Sequence, residues 1–364
     1  MNNAREYMCE MLVNPTDAKY AENIRKFQGC PTIAITRNGR IYMGWYSGGT
    51  REPHIENYNL VVYSDDFGVS WSNPVLIIPS NKERLVQALD IQLWLSPEGK
   101  LFVFWVQDNA EIQNGITDKF VVDGYSFGDT EHAQWLCVCE DPDAVTPMFS
   151  QGRCIGGGFL RCKPLVMSNG EWLLWNYDQL NDRYGYSISS DRGQTFVRHY
   201  GAKKIEVEHD ECMAYEKLDG SIRMLARCKK GELAESTSND YAKSWSETKL
   251  SGIITPDTRI YVSRTPSGRI LLVNNDHASV RCNMTIYLSE DDGATWKYKR
   301  CIDERTRISY PDVDFYGGRI YLVYDRERSG EGAAREILFT SFTEEDIMDE
   351  QYEFKLTIVS KSDY

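Results

Sequence analysis

Six times along the chain a tight-turn signal containing glycine is followed by a short, mostly apolar run. Asn38-Gly39 precedes RIYMGW, Glu98-Gly99 precedes KLFVFW, and Asn169-Gly170 precedes EWLLWN. Asp219-Gly220 precedes SIRMLA, Ser267-Gly268 precedes RILLVN, and Gly317-Gly318 precedes RIYLVY. Upstream of each lies another apolar run, such as PTIAIT, IQLWLS or KPLVMS. Each unit therefore reads strand–turn–strand, a β-hairpin. The glycine that ends each turn signal stands 60, 71, 50, 48 and 50 residues after the previous one, from the numbers 39, 99, 170, 220, 268 and 318. Glycine hairpins are common in β proteins, but six at near-constant spacing indicate an internal repeat.

A second repeat is interleaved with the first. Ser64, Asp66, Gly68 and Trp71 have the form S-x-D-x-G-x-x-W. The frame recurs as Ser189, Asp191, Gly193, Phe196 and as Ser289, Asp291, Gly293, Trp296. A weaker copy has Ser238, Asp240 and Trp245, with Ala242 in the glycine position. At a hairpin tip the Asp accepts backbone N–H bonds, the Gly supplies a positive φ, and the aromatic ring packs beneath.

This second motif resembles the Asp-box, or bacterial neuraminidase repeat, of the sialidase superfamily, over roughly residues 27–345. The resemblance implies an all-β fold, a six-bladed β-propeller with four-stranded antiparallel blades of about 50 residues each. Asp-boxes are structural in that family and lie away from its active centre. On this reading residues 27–364 form a single propeller and residues 1–26 a helix or strand that closes or flanks the ring. The stretch 108–155 is longer than a blade loop needs and suggests an inserted hairpin at the mouth of the site.

Composition narrows the partners. The formal charge of −13 disfavours nucleic acid and anionic membranes. It does not exclude an anionic small substrate, because a few convergent arginines reverse the local field. Aromatic residues make up 12% of the chain, which suits an all-β protein or a sugar-binding surface. No apolar run approaches the roughly 20 residues of a membrane helix. The opening Met1-Asn2-Asn3-Ala4-Arg5-Glu6 lacks a signal-peptide pattern. Ten scattered cysteines include no CxxC pair, so zinc is not expected. Reduced thiols in a cytoplasmic protein are the expectation.

Three segments carry candidate chemistry, and their roles are those the sialidase resemblance implies. In Glu208-His209-Asp210-Glu211, continuing to Arg227, Glu211 is the acid that activates the nucleophile and Arg227 belongs to a carboxylate-binding triad. In Ser309-Tyr310-Pro311-Asp312, Tyr310 is the nucleophile, with Pro311 in place of the usual small residue. A phenol of ordinary pKa about 10 is a poor nucleophile unless a neighbouring carboxylate takes its proton. Tyr nucleophiles are the sialidase exception among glycosidases. In His277-Ala278-Ser279-Val280-Arg281, Arg281 is a second clamp arginine, since two planar forks hold one carboxylate bidentately. A surface salt bridge is its alternative.

The departures point to a changed substrate. Sialidases open with an Arg-Ile-Pro that completes the triad, whereas this chain reads Gln28-Gly29-Cys30-Pro31. The loop Gly48–Asn57 has no Asp where the family's catalytic acid stands. Glu56, Glu52 or His54 is then the proton donor, and Arg51 the replacement arginine. Asp90 and Gln92, Arg161 and Lys163, and Arg326 and Arg328 are further candidates near inner strands, Asp90 as a substrate contact. The expected activity is a retaining, sialidase-like exo-glycoside hydrolase acting on a terminal acidic sugar, without metal or cofactor. A non-catalytic carbohydrate-binding propeller stays open. So does a uronate-specific hydrolase or lyase using His209, His277 or Tyr310 as base.

Overall fold

The computed structural model describes residues 3–113, 120–127, 132–207, 209–362 and 364. Parts of the expected insertion over 108–155, and Glu208, lie outside the described residues. The chain divides into two compact units. One comprises residues 1–160, 325–339 and 357–364, the other residues 161–324 and 340–356.

The first unit is built on antiparallel meanders. One sheet runs Leu12–Val13, Leu76–Pro79, Tyr58–Ser64, Ile41–Gly48, Phe27–Ile35. A second runs Arg153–Gly157, Ala133–Cys139, Leu101–Asn109, Val86–Leu95. Their central strands are buried along nearly their whole length, and the core between them includes Tyr42, Val61, Leu93, Trp105 and Trp135. The rings of Trp105 and Trp135 stack 6.1 Å apart. The N-terminal segment forms both a helix, Asn3–Glu6, and a strand that pairs Leu12 with Ile77. Ala4 is fully buried, and its carbonyl accepts hydrogen bonds from Gln107 Nε2 and Trp135 Nε1. Within the expected insertion, Phe120–Val122 and Tyr125–Phe127 form a hairpin, with Glu111–Ile112 on its other edge.

The second unit repeats the same arrangement in chain order. Trp172–Tyr177, Arg183–Ser189 and Val197–Lys203 make one meander, with Leu165–Val166 on Trp172–Tyr177. Two four-stranded sheets follow. The first is Cys212–Glu216, Ile222–Ala226, Glu232–Ser238, Lys249–Ile254. The next is Tyr261–Arg264, Ile270–Asn275, Met284–Ser289, Tyr298–Asp303.

The six glycine turns all form. Gly39, Gly99, Gly170, Gly220, Gly268 and Gly318 have φ between 76° and 96°. In the first five the glycine N–H bonds the carbonyl three residues back (Thr36, Ser96, Met167, Lys217, Thr265), as in a type I turn followed by a left-handed glycine. Gly317 and Gly318 are both left-handed, at 57° and 76°, the signature of a tighter two-residue turn.

All four Asp-box turns share one hydrogen-bond network, including the degenerate copy. In each, the Ser hydroxyl donates to the Asp and accepts the N–H of the fifth residue, Gly68, Gly193, Ala242 or Gly293. The Asp then accepts both the N–H and the hydroxyl of Ser70, Thr195, Ser244 or Thr295. Ala242 adopts the left-handed φ of 64° that glycine takes elsewhere. The network, rather than the glycine, defines the turn. Among the described residues no helix is long and apolar enough to cross a membrane, and all ten cysteines are unbridged.

Candidate active site

The repeat fixes a common position in or shortly before the strand that leads into each glycine turn. Counting back nine residues from the turn glycine gives Cys30, Asp90, Arg161, Glu211 and Arg259 (39 − 30, 99 − 90, 170 − 161, 220 − 211, 268 − 259). The last turn is one residue shorter, and eight residues before Gly318 stands Tyr310. All six residues are buried. Three of them, Cys30, Asp90 and Tyr310, hold φ values of 58°, 48° and 57°. A side chain in this region costs on the order of 1–2 kcal/mol per residue. The ladders slip between Gly29 and Thr32 and between Leu89 and Gln92, so the kink at Cys30 and at Asp90 is a β-bulge that re-aims the side chain.

In the second unit, five of the residues expected from the sequence come together. Glu211 accepts from Arg161 Nε at 3.1 Å on one oxygen and from Arg227 at 2.8 Å on the other. The Arg161 guanidinium lies 4.6 Å from the centre of the Tyr310 ring, and that of Arg281 lies 5.6 Å from it. Both distances are within cation–π range. Burial alone would raise the Glu211 pKa, but the charges of Arg227 and Arg161 outweigh it and hold the carboxyl at about 2. Burial lowers the basicity of Arg227, yet Glu211, Tyr310 and Asp257 more than restore it, so it stays fully charged. Tyr177 is pushed well above the usual phenol range, first by burial and then by the charge of Glu211.

Two partners were not singled out in the sequence. Asp257 accepts from Arg227 Nε at 2.6 Å, and its carbonyl accepts from Arg281 at 3.0 Å. Arg259, only 2% exposed, donates to the Pro311 carbonyl at 3.1 Å and lies 3.4 Å from Asp312. It thus anchors the backbone next to Tyr310. Arg259 could have been found by counting from Gly268. Lys163 bonds the Val313 carbonyl and lies 3.7 Å from both Asp312 and Asp314. His209 meets Gln179 at 2.8 Å, and His277 accepts two N–H bonds from the loop leading to Arg281.

The remaining expected residues lie in the first unit. Glu56 is exposed and 3.4 Å from Lys82. Arg51 is exposed, and its carbonyl accepts from Asn57. His54 is buried, its Nε2 2.8 Å from Asp123 and its Nδ1 accepting from the Glu56 N–H. That second bond fixes Nε2 as the protonated nitrogen of the neutral ring. Asp90, Cys30 and Glu52 offer a thiol and two carboxylate oxygens within 4.8 Å of one another. The Arg328 guanidinium already occupies the cation position there, 2.6 Å from Glu52 and 3.2 Å from Cys30 Sγ. Gly29 makes this possible: a Cβ there would lie 2.2 Å from Arg328 Cδ and 3.1 Å from an oxygen of Asp325. Arg328 therefore fills the space beside the position where the resemblance led us to expect an arginine. Arg326 pairs with Glu336 at 3.0 Å, and Gln92 donates to Thr32 at 2.6 Å.

Comparison with known proteins agrees with this architecture. Residues 39–322, more than three quarters of the chain, match the family described as BNR repeat-like domain. The chain belongs to that family and is a divergent member of the sialidase superfamily, whose fold is the β-propeller. Among solved structures it resembles the NanB sialidase of Streptococcus pneumoniae at 15% identity and a TM-score of 0.69, covering 90% of this chain and 70% of that one. The intramolecular trans-sialidase of Ruminococcus gnavus gives 14% identity and 0.68, covering 93% and 98%. A Trypanosoma rangeli sialidase gives 16% and 0.58, covering 82% and 52%. At such identities the likeness concerns the fold. Among curated protein sequences none matches this chain.

Proposed function

We propose that this protein is a six-bladed, sialidase-like exo-glycoside hydrolase that removes a terminal acidic sugar with retention of configuration. The observation that carries the reading is Tyr310: a left-handed, buried tyrosine with the guanidinium groups of Arg161 and Arg281 against its ring and Glu211 bonded to Arg161. Tyr310 Oη attacks the anomeric carbon as the glycosidic C–O bond breaks and its phenolic proton passes to Glu211, giving a glycosyl-enzyme that water then releases as the proton returns to Tyr310. A neutral phenol avoids the repulsion that a carboxylate nucleophile would meet from an anionic sugar. Arg227 and Arg281 hold the sugar carboxylate. Protonation of the leaving oxygen is assigned, on the sequence alone, to Glu56, with Glu52 and His54 as its alternatives.

Glu211 is a weak base at a pKa of about 2, roughly eight units below an ordinary phenol. Proton transfer to Glu211 therefore accompanies the attack of Tyr310 rather than preceding it, with the guanidinium groups of Arg161 and Arg281 against the ring. The same weakness favours the second reading, a propeller that binds an acidic glycan without cleaving it. Hydrolysis of aryl α-glycosides of N-acetylneuraminic acid separates the two. The enzyme reading expects turnover, initial release of the α-anomer by proton NMR, and a loss of at least ~100-fold in kcat for Tyr310→Phe. Full activity in that variant would discard the tyrosine mechanism, and binding without turnover in the parent protein would leave the binding module.

A further inference from the structure

The two clamp arginines are tied to a single residue. Asp257 sits in the connection between the strands Lys249–Ile254 and Tyr261–Arg264, directly after Pro256. The Thr258 N–H bonds back to the Pro256 carbonyl at 2.7 Å, so Asp257 is the apex of a three-residue turn. From that apex its side chain accepts from Arg227 Nε at 2.6 Å and its carbonyl accepts from Arg281 at 3.0 Å. A rigid turn thus presents two acceptors a fixed distance apart, one to each guanidinium.

The donors that remain are what a ligand would meet. Arg227 has its Nε committed to Asp257 and one terminal nitrogen to Glu211. Its other terminal nitrogen makes no hydrogen bond among the described residues. Among the described residues Arg281 commits a single nitrogen, to the Asp257 carbonyl. The Arg281 guanidinium also lies 5.6 Å from the centre of the Tyr310 ring. Two cations held this close repel each other, and the Asp257 carboxylate, 35% exposed at its side chain, offsets that repulsion from behind.

We infer that Asp257 is a positioning residue that sets the spacing and orientation of Arg227 and Arg281, so that their unused donors converge on one carboxylate of the substrate. The inference rests on the acidic-sugar reading above and deepens it. Selectivity for a carboxylate over its ester is then a property of the Pro256–Thr258 turn as much as of the arginines. Asp257→Asn keeps an acceptor for Arg227 Nε and loses the charge, whereas Asp257→Ala loses both and leaves only the backbone contact to Arg281.

The test is calorimetric titration of the full chain with N-acetylneuraminic acid and, separately, with its methyl ester, alongside steady-state kinetics on the aryl glycoside. Asp257→Ala is expected to weaken binding of the acid by ~10-fold or more and of the ester by less than ~2-fold. KM should rise with kcat nearly unchanged, because the clamp acts on ground state and transition state alike. Asp257→Asn should fall between the two, which a mere folding defect would not produce. If the parent protein prefers the acid and Asp257→Ala binds it equally well, the positioning role is wrong while the acidic-sugar reading stands. If the parent protein does not prefer the acid to the ester, the acidic-sugar reading itself fails, and the inference with it.

Discussion

Glu211 and Arg227 are joined by a 2.8 Å hydrogen bond, with only 3% and 4% of their surfaces exposed. Such a pair is held by mutual need: removing either partner leaves a buried charge, at a cost of about 3–5 kcal/mol. The pair also writes a signature into acid stability. Glu211 titrates at about 2 in the fold against an ordinary 4.5, so its contribution is fully present above about pH 4.5 and is lost as the pH falls through about 2. At about 1.4 kcal/mol per unit this amounts to roughly 3 kcal/mol. Urea unfolding between pH 2 and 6 should show that slope in the parent protein and a flatter profile in Glu211→Gln.

The neighbouring residue has the opposite sign. Burial raises the Asp210 carboxyl to about 7, and the charge of Lys204, 3.0 Å away, only partly opposes it. The two groups are within ion-pair distance, yet among the described residues neither Asp210 oxygen has a hydrogen bond of good geometry, which explains why burial wins. A carboxyl with a raised folded pKa contributes stability that is present below its ordinary 3.8 and is lost as the pH rises through about 7. Asp210→Asn should therefore gain about 4 kcal/mol over the parent protein at pH 8 and little at pH 4. Equal stability of the two proteins at pH 8 would remove the argument.

The local chemistry of the turns was legible because it depends on residues within five positions of one another. Ser-x-Asp and glycine signals specify hydrogen bonds that need no tertiary context, and even Ala242 obeys the frame. The four residues Tyr310, Glu211, Arg227 and Arg281 were reachable only through the resemblance to sialidases, since neither Arg227 nor Arg281 stands at the position the repeat shares. Long-range compensation was not legible. That Arg328 occupies the space beside Gly29 depends on a contact spanning almost 300 residues, and nothing local to Gly29 announces it. Asp257 was missed for another reason: half of its role belongs to a backbone carbonyl, which side-chain identity does not encode.

The Asp-box glycines should differ from the hairpin glycines in what a methyl group costs. Gly293, at φ 80°, would place a Cβ 2.1 Å from the Tyr215 hydroxyl. Gly220, at φ 82°, would place it in open space. Gly220→Ala then bears only backbone strain, about 1–2 kcal/mol. Gly293→Ala adds overpacking of about 1–3 kcal/mol and disturbs the Tyr215 contact with Arg223. Thermal unfolding should rank Gly293→Ala well below Gly220→Ala, and the reverse order would contradict the packing argument.

Gly29 and Arg328 should behave as one unit under mutation. Gly29→Ala drives a Cβ into the Arg328 stem, 2.2 Å from Cδ and 2.7 Å from Cγ, which are too close to the backbone of that side chain to swing clear cheaply. Its expected cost is about 1–3 kcal/mol. Arg328→Ala loses the 2.6 Å bond to Glu52, and because both partners are about a fifth exposed the loss is only about 1 kcal/mol. Once the stem is gone the alanine at position 29 has room, so the double variant should cost less than the sum of the single ones by about 1 kcal/mol or more. Additive costs in chemical denaturation would mean that Arg328 does not hold the place beside Gly29 in solution. The non-additive result would establish that the glycine in Gln28-Gly29-Cys30-Pro31 is there to make way for a guanidinium supplied from the far end of the chain.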